Sequence, residues 1–211
     1  MGLKPENLFQ ILGYNPHHLP KNKCNEKHST YFKVRFLHKL MLYVHSQLNF
    51  PRFFDPDQSE YKNKRLPISY NPFVYLKTKI ANCGIYSNLF EQLAESSGFE
   101  VRHIGLVASD RKNCHWCSEI KVDNKWIFFD TMYLICPVTI GTSKRIFYSA
   151  YEIMQNPVDL YFKQIPSIFY GISEQTIVNL WKGLEINKQN SYDLGLGQFI
   201  KLFYGVDYVE V

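Results

Sequence analysis

The sequence predicts an α+β protein: an antiparallel sheet of three or more strands with one central helix packed on it and further helices at both ends. Three observations carry this expectation. From Cys83 the apolar residues Tyr86, Leu89, Phe90 and Leu93 fall on one helical face. From Val101 to Asp130 the chain reads instead as three short strands, separated by a polar turn at 109–113 and by Asp123-Asn124. On either side of this block, helical stripes return: Leu37, Leu40, Met41, Val44 and Leu48 before it, and Ile177, Leu180, Trp181 and Leu184 after it.

Residues 1–28 are broken by Pro5, Pro16 and Pro20; Leu8, Phe9, Ile11 and Leu12 supply one short helical turn in an otherwise irregular lead-in. Ser29 or Thr30 caps a helix that runs to Asn49 and stops before Pro51. Residues 51–72, with four prolines and a basic middle, form a long loop expected to wall a cleft. Phe73 to Ile80 fits a short helix or a strand equally.

The helix that opens at Cys83 ends at Gly98, a residue type suited to a helix C-cap. The strands are Val101–Val107, Cys114–Val122 and Lys125–Asp130. Beyond them, Phe147, Ala150, Tyr151 and Met154 make a helical stripe ended near Asn156-Pro157. Ser173 caps a helix from Glu174 to Leu184, and Val206–Val211 reads as a closing strand. No repeat or boundary divides the chain. It is expected to form a single domain over 1–211, with its core at 73–135, a helical lead-in at 1–72 and a helical extension at 136–211.

Composition narrows the classes. The 211 residues are 45% hydrophobic and 20% charged, ordinary for a globular chain with a substantial core. Aromatic residues reach 16%, so Phe and Tyr should line core and cleft alike. The net charge of +5 is scattered over Lys21 to Lys27, Lys62 to Arg65 and Lys144-Arg145; it permits an anionic partner without calling for a nucleic acid. Met1 to Pro5 lacks the apolar run of a signal peptide, and no window approaches the ~18 apolar residues of a membrane span. An odd count of five cysteines outside a small secreted frame predicts free thiols and a cytoplasmic protein.

The hairpin fixes a register. If Val122 pairs with Lys125 across the Asp123-Asn124 turn, Cys117 lies opposite Asp130, and His115 lies one diagonal step away on the same face. Cys83 at a helix N-terminus adds the third group. Unpaired N–H groups and the positive end of the helix dipole favour a thiolate there. A histidine nearby can act as its ion-pair partner or base, and an aspartate can orient the ring. The backbone N–H of Cys83 is a natural oxyanion donor.

These residues resemble the transglutaminase-like core, a branch of the papain-like thiol enzymes. The family pattern has a cysteine opening a helix, then His-x-Trp-x-Glu-Val, then a tryptophan followed by aspartate. Cys83; His115, Glu119 and Ile120; and Trp126 with Asp130 match it. The resemblance implies a Cys83 nucleophile, a His115 base and an Asp130 orienter. It departs at Cys117, where an aromatic residue is expected, with Trp116 one position early. Trp116, Tyr75 and Asn82 are candidate substrate-binding residues, and Asn82, Tyr75 and Tyr70 are candidates for a second oxyanion donor.

Each residue has a plainer reading: Cys83 as a packing cysteine, His115 as a structural histidine, Asp130 as a strand-end cap. Cys114-x-x-Cys117 suggests a redox or zinc pair, but strand alternation sends the two to opposite faces. The sequence therefore predicts cysteine-based acyl chemistry on an amide, ester or thioester, either hydrolysis or transfer to an amine, needing no metal or cofactor. The competing reading is a non-catalytic binding module that keeps the fold.

Overall fold

The computed structural model describes residues 29–48, 66–68, 72–79, 81–107, 114–140, 145–164, 173–182, 184–187 and 208–210. The predicted turn at Leu8 to Leu12, the polar turn at 109–113, Tyr70 and most of the loop at 51–72 lie outside them.

Helix α1 spans Thr30–Gln47, its first turn capped by the Ser29 hydroxyl, which accepts from the Phe32 N–H at 3.3 Å. Its predicted stripe is buried from Leu37 to Leu48. Strand β1 is Leu66–Ile68, and the undecided segment after it is helical: α2 spans Pro72–Thr78, with proline where a first turn tolerates it.

Helix α3, Cys83–Ser96, is the centre of the molecule. Asn82 caps it, its Oδ1 accepting from the Ile85 N–H at 3.0 Å. Gly98 follows the last turn at φ 90°, the left-handed conformation that glycine adopts freely. The sequence suggested one buried stripe, yet every residue from Cys83 to Ala94 is buried, because α1, α2 and the sheet enclose the helix. Ser87, Asn88, Glu91 and Gln92 are thus interior polar groups.

The main sheet has four strands in the order β4-β3-β2-β7: β2 Glu100–Val107, β3 Cys114–Val122, β4 Lys125–Phe129 and β7 Leu184–Asn187, antiparallel throughout. The β3–β4 register is the one the turn implied, Val122 facing Lys125 and Ser118 facing Phe129. Asp123 and Asn124 both have positive φ, 49° and 66°, as a two-residue turn matching the strand twist requires. β4 ends at Phe129; Asp130 leaves the ladder and bridges Ile135.

Three expectations are corrected. Phe147 closes a short strand, β6 (Arg145–Phe147, paired with β5, Val138–Ile140), instead of joining a helix. Helix α4 starts at Ala150, set by a capping box between Ser149 and Glu152, so Ala150 and Ile153 face inward and Tyr151 is 61% exposed. After α5, Pro157–Leu160, and a 3-10 turn, helix α6 covers Glu174–Lys182 with Ile177, Leu180 and Trp181 buried. It stops before Leu184, which opens β7 on the free edge of β2. The closing strand is present as β8, Tyr208–Glu210, pairing in parallel with β1.

The core has two lobes, one on each face of the sheet. One joins α1, α2 and α3 to Val101, Ile120, Ile127 and Phe129; the other joins Ile104, Leu106, Cys117 and Phe128 to Tyr161 and Trp181. No helix among the described residues is long and apolar enough to cross a membrane.

Candidate active site

Strand alternation puts His115, Cys117 and Glu119 on one face of β3 and Trp116, Ser118 and Ile120 on the other. On the first face His115 meets Asp130: Nε2 lies 2.6 Å from Oδ2, and both side chains are buried. The thiol of Cys117 donates to the same oxygen at 3.6 Å. The Tyr161 hydroxyl donates to it at 2.5 Å, and the Tyr133 backbone N–H reaches Oδ1 at 3.1 Å. The carboxylate is thus gripped from β3, from the turn after β4 and from the segment after α5. The Tyr133 ring stacks on His115 with centroids 4.8 Å apart.

The electrostatics follow. Burial alone would lower the His115 pKa, but the Asp130 carboxylate outweighs it and holds the ring well above the usual imidazole value. Burial would raise the Asp130 pKa; the charge and hydrogen bond of His115, with the Tyr161 and Tyr133 donors, hold it below the usual carboxyl value. Cys117 is driven the other way. Burial and then Asp130 push its thiol far up, with a further push from the nearby Cys83, so it stays a neutral donor. Burial pushes the Cys136 thiol up as well.

Cys83 opens α3 and is buried. One turn on, the Ser87 hydroxyl donates to the Trp116 carbonyl at 2.9 Å, which brings the start of α3 against the strand between His115 and Cys117. Asn82 has a second property. Its Oδ1 is used as the helix cap, while its Nδ2 is buried without a hydrogen-bond partner among the described residues. A donor left over beside a helix-start cysteine is an unusual thing for an interior to keep.

The remaining predicted residues sort by position. Trp116 lies on the opposite face from His115, half-buried, its ring 4.2 Å from that of His103 and packed flat over Gly105, where a Cβ would come within 2.9 Å of it. Tyr75 is fully buried in the lobe that holds Cys83. Glu119 is structural: it pairs with Arg102 and accepts from the Ala150 N–H at 2.5 Å, tying β3 to the start of α4. Arg102 in turn lies 4.2 Å over the Trp126 ring. Sequence reasoning missed Tyr133 and Tyr161. Tyr133 follows Asp130 at the spacing at which an aspartate commonly accepts a backbone N–H, a signal that was available. Tyr161, 31 residues away, gave none.

The class follows from comparison with known proteins. The chain matches the core model of the transglutaminase-like superfamily over residues 23–131, just over half its length, and it belongs to that superfamily. Many members of this superfamily are cysteine enzymes. No curated protein matches the chain. Among solved structures it is similar to a candidate cysteine protease from Cytophaga hutchinsonii (14% identity, TM-score 0.34, 57% of this chain and 42% of that one). It is also similar to LapG of Legionella pneumophila (11%, 0.39, 77% and 86%) and to a TGase (15%, 0.36, 97% and 58%). The chain therefore spans less than two thirds of the first and third of these.

Proposed function

We propose that this protein is a cysteine-dependent acyl enzyme in which Cys83 is the nucleophile, His115 the acid and base, and Asp130 the group that orients and charges the ring. The observation that carries the reading is the buried His115–Asp130 pair at 2.6 Å, together with a buried cysteine at a helix N-terminus whose charge is felt at Cys117. An imidazole held above its usual pKa favours the imidazolium–thiolate pair, and the helix end favours the thiolate further.

The Cys83 sulfur attacks the carbonyl carbon of an amide, ester or thioester. The oxyanion that forms is met by the Cys83 N–H and by Asn82 Nδ2, a donor with no partner among the described residues. His115 gives its proton to the leaving amine, alcohol or thiol as the bond to carbon breaks, leaving a thioester on Cys83. Water or an amine then attacks, His115 takes its proton, and the thiolate leaves. Peptide or protein amides are the substrate class, and admission of water or of an amine decides between hydrolysis and transfer. None of these steps calls for a metal or cofactor.

Intact-mass measurement tests the reading. The full chain is incubated with glutamine-containing peptides and with peptide thioesters, each with and without a primary amine. The expected result is a covalent acyl adduct or a hydrolysed or amine-linked product, all lost in Cys83→Ala. Peptides that bind the wild type and Cys83→Ala equally, with no adduct and no product, would make this a binding module instead.

A further inference from the structure

Cys117 stands where the family pattern has an aromatic residue, and it changes what the cluster can bind. Three potential ligand atoms, one each from His115, Cys117 and Asp130, lie within 4.8 Å of one another, and all three residues are buried. His115 and Cys117 share a face of β3, and Asp130, the residue after the end of β4, brings its Oδ2 to both of them. We propose that His115 Nε2, Cys117 Sγ and an Asp130 carboxylate oxygen form a site for a thiophilic divalent cation of the zinc class, whose occupancy switches the acyl chemistry off.

Zinc bonds to nitrogen, oxygen and sulfur of about 2.0–2.3 Å place tetrahedral ligands roughly 3.3–3.8 Å apart. Cys117 Sγ and Asp130 Oδ2 are already 3.6 Å apart. His115 Nε2 sits 2.6 Å from the same oxygen and has only to open outward. Nε2 and Sγ each aim a hydrogen at the carboxylate, so the cation takes the place of two protons. Metal–nitrogen and metal–sulfur bonds replace N–H and S–H, two protons pass to solvent, and the buried net charge is unchanged. Nothing is oxidised or reduced. Three protein ligands and one exchangeable position is the pattern of open zinc sites, and softness selects zinc or cadmium over magnesium or calcium. A tryptophan or phenylalanine at position 117 offers no such ligand.

The ligand set stands on geometry alone; the inhibition rests on the reading of Cys83, His115 and Asp130 as the catalytic group. The experiment keeps the two apart by using the full-length Cys83→Ala chain, which has no activity to lose. Zinc affinity is measured by competition with a chromophoric chelator, and cadmium is added separately to read thiolate-to-metal charge-transfer absorbance. The expected results are one zinc per chain and a cadmium–thiolate band, both kept in Cys83→Ala/Cys136→Ser. In Cys83→Ala/Cys117→Ser the affinity should drop by about 100-fold. Should that variant fold poorly, the cadmium band of the Cys24→Ser/Cys83→Ala/Cys114→Ser/Cys136→Ser chain, where Cys117 is the one thiol left of the five, still reports the Cys117 sulfur directly. Absence of binding, or equal affinity with and without Cys117, overturns the site even if turnover is intact. Binding without any turnover in the wild type leaves the site standing and removes the inhibition.

Discussion

Among the described residues, two buried histidine–carboxylate pairs stand on adjacent strands and point to opposite faces of one sheet. His115–Asp130 faces α5 and α6; His103–Glu91 faces α3, with Nδ1 2.8 Å from Oε1. Their chemistry is similar and their surroundings are not. Glu91 also accepts from the Ser118 hydroxyl at 2.6 Å, and the His103 ring is covered by Trp116. Its serine is bound to the carboxylate and not to the ring, so among the described residues no nucleophile stands before the imidazole. The pair ties α3 to β2 and β3. At His115 the carboxylate is the hub, with a tyrosine, a thiol and a backbone N–H around it, and the Cys117 thiol feels a second thiol, that of Cys83 at the start of α3. A buried dyad is therefore not a site by itself; what lies next to the ring decides.

Matched substitutions break this comparison most sharply. Asp130→Asn should lower kcat/KM by about 10⁴-fold, through a misdirected ring and a weaker imidazolium, while the fold persists. Glu91→Gln should leave kcat/KM within about threefold and cost roughly 2 kcal/mol of stability, because a buried charge-assisted pair is lost. Urea unfolding and steady-state kinetics on both variants check this, and an activity loss of similar size in each would erase the distinction.

Asn82→Ser comes next. Serine keeps a capping oxygen for Ile85 and removes the unpartnered amide, so helix stability should hold while kcat falls about 100-fold. Equal kcat in the two proteins would leave Nδ2 without a role. Tyr161→Phe removes one donor from Asp130 and should lower kcat/KM by about tenfold, with the pH profile shifted. An unshifted profile with reduced stability would make Tyr161 merely a packing residue.

The smallest effect lies in the pH dependence of stability. His115 has its folded pKa raised, so its contribution is complete below about pH 6.5 and fades as pH rises through the folded value. Asp130 has its folded pKa lowered, so its contribution is present above about pH 4 and fades as pH falls. The unfolding free-energy difference between wild type and His115→Gln should therefore be largest between those limits and shrink on both sides. A flat difference across pH 3–9 would contradict the pairing.

The sequence reveals local order better than convergence. The stripes of α1 and α3 and the hairpin register were legible because period and turn chemistry are local: Asp123-Asn124 fixes the pairing as far as Ser118 and Phe129, and Asp130, leaving the ladder one residue later, still meets Cys117 and His115 on one face. The phase of α4 was misread because the Ser149–Glu152 capping box was passed over in favour of an apolar spacing. Strand β7 and Tyr161 carry no local signature; only the closing of the chain over the second face of the sheet brings them to β2 and Asp130. The burial of Glu91 has no local signal either, since nothing nearby in sequence shows that α3 is enclosed on all sides.

The central claim is that Cys83, and not either of its buried thiol neighbours, is the reactive sulfur. Brief alkylation with iodoacetamide at about pH 6, followed by mass mapping of every cysteine, tests it most directly. Cys83 should be labelled first in the wild type and markedly more slowly in Asp130→Asn, with Cys117 and Cys136 unlabelled over the same interval, since burial holds both as neutral thiols. Labelling of Cys117 or Cys136 ahead of Cys83, or a Cys83 rate that does not respond to Asp130→Asn, would contradict the account.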